Sequence, residues 1–102
     1  MKSNKQKLKA KADRILQLWV KITYKNCFVC GKTSTVGHHF VHKANSLALR
    51  YFKPNIIPMC QHCHLLIHCQ PAITTAYIVR KKGEKWINQI LIENKKTIRE
   101  NI

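Results

Sequence analysis

Hydrophobic residues recur at helical spacing near both ends of the chain. Near the N-terminus, one apolar face with lysines opposite predicts a helix over residues 4–22, which Ser3 or Asn4 is suited to cap. The members of that face are Leu8, Ala12, Ile15, Leu16, Trp19 and Val20. A second face predicts a helix from Glu84 to about Ile98. Its members are Trp86, Ile87, Ile90, Leu91 and Ile98.

The middle of the chain has shorter and less regular patterns. The segment TSTVGHHFVH is rich in β-formers and predicts a short hairpin region, and NSLALRYFKPN predicts a connection that ends in a turn at Pro54. HCHLLIHCQ predicts the start of a helix that Pro71 interrupts, and TTAYIVRKKG follows as a further segment. We therefore expect one α+β domain over residues 1–102: a basic N-terminal helix (1–25), a core (26–70) and a C-terminal helical segment (71–102).

The size of the chain limits the core that it can bury. With 102 residues, of which 45% are hydrophobic, it can form one small domain. Domains near this size often depend on an additional stabilising element such as a bound metal.

Charge is the dominant feature of the composition. Nineteen Lys and Arg residues against four Asp and Glu give a net charge of +15, which predicts nucleic acid as the partner. A membrane surface is the weaker alternative, because the sequence has no lipidation motif and no apolar run near the length of a bilayer span. The basic N-terminus also lacks the features of a secretory signal, so we expect a cytoplasmic protein.

The acidic residues are distributed unevenly. They are Asp13, Glu84, Glu93 and Glu100, and no carboxylate side chain occurs from Asn26 to Lys82. This distribution excludes from the middle of the chain both two-metal chemistry clamped by carboxylates and paired-carboxylate glycoside hydrolysis. Any metal bound there must use cysteine and histidine.

The cysteines of the core form two CxxC pairs. Cys27 and Cys30 lie in CFVC, and Cys60 and Cys63 lie in CQHC. Two such pairs predict a structural tetrahedral zinc, and a reducing compartment disfavours the alternative of two disulfides. Free core thiols are the other alternative. Cys69 is left over, and we interpret it as a free thiol without a role.

The histidines then remain available for a second site. His64 and His68 are four residues apart, so on a helix they face the same way, and with His38 of GHHF they form a three-histidine set. Such a set leaves coordination positions open for water or phosphate, as catalytic metals require. The neighbouring His39 projects differently and is free to act as a base.

The order of these residues resembles that of the HNH endonucleases, also called ββα-metal or His-Me finger nucleases. The resemblance rests on GHHF, Asn55 and HLLIH within residues 27–68. The separation of Asn55 from the last two histidines is similar to that in the nuclease colicins, and the CxxC pairs resemble the zinc-knuckle frames of many HNH proteins. The phrase HHF…LRYFKPNIIPMCQHCH is similar to phage recombination nucleases of the lambda nin-region type. Many members have Asp at the position of His38.

The resemblance implies a ββα-metal core and a metal-dependent DNA endonuclease. Such an enzyme would act in phage recombination or DNA processing, in a bacterial host cell if a phage encodes it. His38, His64 and His68 would bind one catalytic divalent metal, which could be Mn²⁺, Ni²⁺, Co²⁺, Zn²⁺ or Mg²⁺. His39 would take a proton from the attacking water. Asn55 would fix the loop or polarise His39.

Other residues have weaker assignments. Lys43, Arg50 and Lys53 lie between the halves of the motif, where they either contact phosphates or are solvated charges. His42 and His62 have no position in the motif.

The DNA could be duplex, nicked, branched or single-stranded, and the oligomeric state is open. Two alternatives to a nuclease stay open: a non-catalytic zinc-binding module that grips nucleic acid, and an adaptor whose lysine faces bind a replication or recombination protein.

Overall fold

A computed structural model describes residues 3–100, with side chains described as far as residue 96. In chain order the elements are α1 (Asn4–Thr23), β1 (Val36–His39), a short 3₁₀ helix (Lys53–Asn55), β2 (Ile56–Met59), α2 (Gln61–Cys69), α3 (Pro71–Lys82) and α4 (Glu84–Glu100). This mixture of helices with a two-stranded sheet is compatible with the predicted α+β class. Among the helices so described, none has the length and apolar character needed to span a bilayer.

Capping residues, a proline and a glycine mark the ends of the helices. Ser3 and Gln6 form a capping box at the start of α1, which confirms the predicted N-terminal helix. Pro71 ends the preceding helix by starting a new one, because proline fits the first turn of α3. Gly83, with φ of 94°, separates α3 from α4. The predicted C-terminal helix is present as α4, but the side chain of Ile98 lies outside the described residues.

The predicted hairpin within TSTVGHHFVH is wrong. Only Val36–His39 forms a strand, and its antiparallel partner is β2, which lies beyond the connecting segment. In this register Gly37 pairs with Pro58 and His38 pairs with Ile57. The four residues of β2 are all buried, so they form a continuous apolar run that includes a proline and shows no alternating pattern.

The two faces of β2 pack against different helices. Ile57 and Met59, both fully buried, belong to the main core with residues of α2, α3 and α4, such as Ile67, Ile78 and Ile90. Ile56, on the opposite face, packs against α1. The sheet therefore lies between α1 and the three C-terminal helices.

The apolar face predicted for α1 is only partly buried. Leu16 and Val20 pack on the sheet, whereas Leu8 is 67% exposed and Ile15 is 59% exposed. The reason is that α1 meets the sheet along a strip that also contains the polar residue Gln17. The amide of Gln17 donates to the Gly37 carbonyl at 2.8 Å and accepts from the Gly37 N–H at 2.7 Å. These two bonds satisfy the backbone polar groups of Gly37 on the outer edge of β1.

Gly37 allows α1 to approach the sheet closely, and the substitution Gly37→Ala tests this packing. A Cβ at this position would lie 2.7 Å from Cγ2 of Ile56 and 2.9 Å from Cγ2 of Val20, well inside van der Waals contact. We expect Gly37→Ala to lower the free energy of unfolding by about 1–3 kcal/mol, as overpacking does. Urea denaturation measures the change. The matched control Thr35→Ala, at an exposed position beside β1, should stay within about 0.5 kcal/mol of the wild type. Equal stability of Gly37→Ala and the control would contradict the close packing of α1.

Candidate metal centres

Four cysteine thiols converge at one end of the sheet. Cys27 and Cys30 come from the loop before β1, and Cys60 and Cys63 come from the start of α2. Their sulfur atoms all lie within 4.8 Å of one another, and all four are free thiols. The Sγ atoms of Cys30 and Cys60 are 3.6 Å apart. Two sulfurs on one tetrahedral zinc at about 2.3 Å would lie about 3.8 Å apart. The cluster could therefore hold a metal ion such as zinc.

Local backbone geometry forms each half of this cluster. In the first half, Gly31 adopts a φ of 79° and its N–H donates to the Cys27 carbonyl at 2.9 Å, which turns the chain tightly. In the second half, Cys60 caps α2, because its Sγ accepts from the N–H of Cys63 at 3.4 Å. A helix N-terminus favours negative charge, and the thiolate is the form of cysteine that binds metal.

The pKa values of Cys27, Cys60 and Cys63 are shifted in different directions. Burial alone would raise the pKa of Cys27, but hydrogen bonds from the backbone of Cys30 and Cys60 outweigh it and lower that pKa to about 6. A backbone hydrogen bond from Cys63 lowers the pKa of Cys60. Burial, followed by the neighbouring sulfurs, raises the pKa of Cys63. The four sulfurs share few hydrogen-bond donors, and a divalent cation would stabilise all four as thiolates together.

The three predicted histidines also meet. His38 of β1 faces α2, where His64 and His68 lie one turn apart, and their ring nitrogens fall within 4.8 Å of one another. The Nε2 atoms of His64 and His68 are 3.4 Å apart. Two nitrogens on one tetrahedral ion at about 2.1 Å would be separated by about 3.4 Å. The chemistry and spacing of this donor set thus fit a transition-metal ion.

The surroundings of His38 and His64 favour the neutral form that binds metal. Burial and then the charges of His64 and His68 lower the pKa of His38 to about 4. The pKa of His64 is lowered by burial and by His68. Neutral imidazoles are the ligand form at neutral pH. The rings of the cluster line a cavity of about 220 Å³, which leaves room for ligands other than protein.

His39 lines the same cavity but has a different environment. Its Nε2 lies 2.8 Å from the backbone carbonyl of Arg50. A carbonyl only accepts hydrogen bonds, so Nε2 carries the proton and Nδ1 keeps its lone pair. Burial lowers the pKa of His39, although the hydrogen bond to the Arg50 carbonyl partly opposes that effect. The ring is therefore neutral near pH 7 and able to accept a proton.

Asn55 is fully buried and holds the loop that carries this carbonyl. Its Oδ1 accepts from the N–H of Val41 at 2.9 Å. Its Nδ2 donates to the carbonyls of Val41 and Leu49, each at 3.1 Å. Of the two roles that the sequence left open for Asn55, these bonds match fixation of the loop. The loop then presents the carbonyl of Arg50, next to Leu49, to His39.

The three predicted phosphate contacts occupy different surroundings. The guanidinium of Arg50 forms a bidentate pair with Asp13, with Nη2 2.6 Å from Oδ2 and Nε 3.1 Å from Oδ1. Burial would raise the pKa of Asp13, but the hydrogen bond and charge of Arg50 leave it below its ordinary value. Lys43 lines the histidine cavity, and the ammonium of Lys53 lies 4.6 Å from the centre of the Trp19 ring. Contact with DNA stays a prediction for all three.

Two residues at the cavity were missed by the sequence interpretation. Gln17 lines the cavity from α1 while it pairs with Gly37. His42 also lines it, and its Nδ1 accepts from the N–H of Ala44 at 3.1 Å. A polar residue on the buried side of α1 was the one available signal for Gln17. His62 and Cys69 are exposed and belong to neither cluster.

Comparison with protein-family models, with curated proteins and with solved structures finds no match to this chain. The resemblance to HNH nucleases therefore rests on the motif residues themselves.

The two clusters predict two kinds of metal binding that elemental analysis can separate. Protein purified without chelator should contain about one tightly held zinc per chain, and a second ion should exchange readily. Cys60→Ser should lose the zinc and melt early, because a thiolate site of this kind contributes directly to folding. His64→Ala should keep the zinc and lose the second ion. Absence of zinc from the wild type would contradict the assignment of a zinc site to the cysteines. So would loss of zinc from His64→Ala while Cys60→Ser retains it.

Proposed function

We propose that the protein is a metal-dependent DNA endonuclease that hydrolyses phosphodiester bonds by a one-metal mechanism of the HNH type. One observation carries the proposal. A three-imidazole cluster with room for further ligands shares a cavity with a neutral histidine whose Nδ1 is available as a base. This combination suits hydrolysis by a single metal, whereas a metal that only stabilises a fold is usually enclosed by four protein ligands.

His38, His64 and His68 would hold the catalytic ion. When bound there, the ion would supply Lewis acidity at the scissile phosphate and stabilise the leaving 3′-oxygen. The low pKa of His38 supports this role, since an imidazole that stays neutral needs no deprotonation before it binds a cation. Attachment of the three rings to β1 and α2 gives the site rigid support.

His39 would accept a proton from the attacking water at Nδ1. Its Nε2–H donates to the carbonyl of Arg50, which fixes the tautomer and stabilises the ring once it becomes positive. Asn55 contributes by holding the loop on which this carbonyl lies. The ion pair between Asp13 and Arg50 ties the same loop to α1.

The charge of the chain supports DNA as the substrate. A net charge of +15 creates a field that attracts a phosphate backbone. Lys43, whose side chain is 43% exposed, lies at the histidine cavity, where a scissile phosphate would enter. None of the described side chains that line this cavity is a carboxylate, and Asp13, 3.9 Å from the Lys43 ammonium, is already paired with Arg50.

The decisive variant is His39→Ala, measured by nicking of supercoiled plasmid with metal saturated. Because His39 is a base and not a ligand, the variant should keep both metals and its DNA affinity but cut about 10²–10⁴-fold more slowly. His62→Ala is the matched control, since His62 is exposed on α2 outside the cluster, and it should cut at the wild-type rate. Equal rates for His39→Ala and wild type would remove His39 as the base. Binding of DNA without any cleavage by wild type would leave the non-catalytic binding module.

The ligand set also predicts a metal preference. Imidazoles bind Mn²⁺, Co²⁺, Ni²⁺ and Zn²⁺ better than Mg²⁺, which prefers oxygen ligands. Cleavage with Mn²⁺ or Ni²⁺ should therefore equal or exceed cleavage with Mg²⁺ in the same nicking assay. A strict requirement for Mg²⁺ would show that these histidines are not the ligands.

A further inference from the structure

A second cavity lies beside β2, apart from the histidine cluster. It has a volume of about 360 Å³, within the range of about 300–1,000 Å³ that is typical of small-molecule sites. Its lining residues include Tyr24, Phe28, Lys53, Ile56, Pro58 and Lys82. We call it the Tyr24 cavity. The described residues that line it all differ from those that line the histidine cavity.

The walls of the Tyr24 cavity combine aromatic rings with apolar surface. Tyr24 is 43% exposed, and its ring contacts Trp19 edge to face with the ring centres 5.6 Å apart. Phe28 is held to β2 by a hydrogen bond from its N–H to the carbonyl of Pro58 at 2.8 Å. Aromatic side chains at an accessible surface are the groups on which unpaired nucleobases stack.

Lysines lie against Phe28, which lines the cavity, and against Trp19, which contacts Tyr24. The ammonium groups of Lys81 and Lys82 lie 4.8 Å and 4.7 Å from the centre of the Phe28 ring. Lys53 lies over Trp19, the neighbour of Tyr24. Burial lowers the pKa of Lys82, and a phosphate beside it would offset the loss of solvent around its charge. Among the described residues that line the cavity, the charged groups are the cations Lys53 and Lys82.

We propose that the Tyr24 cavity binds an unpaired nucleobase, stacked on the ring of Tyr24, with the adjacent phosphate beside Lys82. This inference rests on the proposed function for the choice of DNA as the ligand. Aromatic rings interleaved with lysines match single-stranded nucleic acid, in which bases are free to stack, better than a paired duplex, in which they are not. The proposed nuclease would then engage DNA that contains unpaired nucleotides.

The test is the affinity for two fluorescent probes without added divalent ion: a dT 12-mer, and an abasic 12-mer with the same number of phosphates. Wild type should bind the dT probe about 5- to 100-fold more tightly, which is the worth of one stacked base. Tyr24→Leu should bring the two affinities together without weakening the abasic probe. Tyr77→Leu is the matched control, because Tyr77 is 40% exposed and touches Lys81 but does not line the cavity. It should keep the wild-type ratio.

The salt dependence of binding separates stacking from charge. Lys82→Gln should reduce the slope of log affinity against log salt by about 0.7, the value for one phosphate contact on a single strand. Tyr24→Leu should leave that slope unchanged. Equal affinity of wild type for both probes, or an unchanged ratio in Tyr24→Leu, would overturn the proposal. Because no cleavage is measured, failure of the nuclease activity would leave a positive result here intact, and the reverse also holds.

Discussion

The structure depends on the meeting of two cysteine pairs that lie far apart in the chain. The loop of Cys27 and Cys30 leads into β1, and Cys60 starts α2 directly after β2. Because the four thiols lie together, the strand that carries His38 is held against the helix that carries His64 and His68. The backbone bond from Phe28 to Pro58 supports the same junction. In a domain with so small a core, a cation at these sulfurs would contribute a large part of the stability.

Adjacent residues on a strand face opposite ways, and this simple property separates the two histidines of β1. His38 turns toward α2 and joins the imidazole cluster, whereas His39 turns toward the loop that Asn55 holds. Both side chains line one cavity, and in the proposed function one would bind a cation while its neighbour would accept a proton. The position of the proposed base depends on a backbone carbonyl, so residues that shape the loop would influence chemistry that they do not touch.

Local spacing made much of the candidate site predictable. The CxxC pairs and the turn between His64 and His68 place ligands by short-range geometry, and both clusters are together in the structure. The partner of β1 was not predictable, because the run IIPM has no alternation and contains a proline. The pairing of Gln17 with Gly37 and of Arg50 with Asp13 joins distant segments, for which the sequence offers no periodic signal. The partial burial of α1 has the same cause: its apolar face alone does not reveal how wide a strip the sheet can cover.

The most direct test of the central claim is the chemistry of the product ends. DNA with a labelled 5′ end should be incubated with the zinc-loaded protein and Mn²⁺, and its fragments analysed for their termini. If the leaving group is the 3′-oxygen, the cut should leave a 3′-hydroxyl and a 5′-phosphate that DNA ligase can rejoin, and excess chelator should prevent the cut. Fragments with 3′-phosphate ends, or no fragments with any divalent ion, would contradict the account.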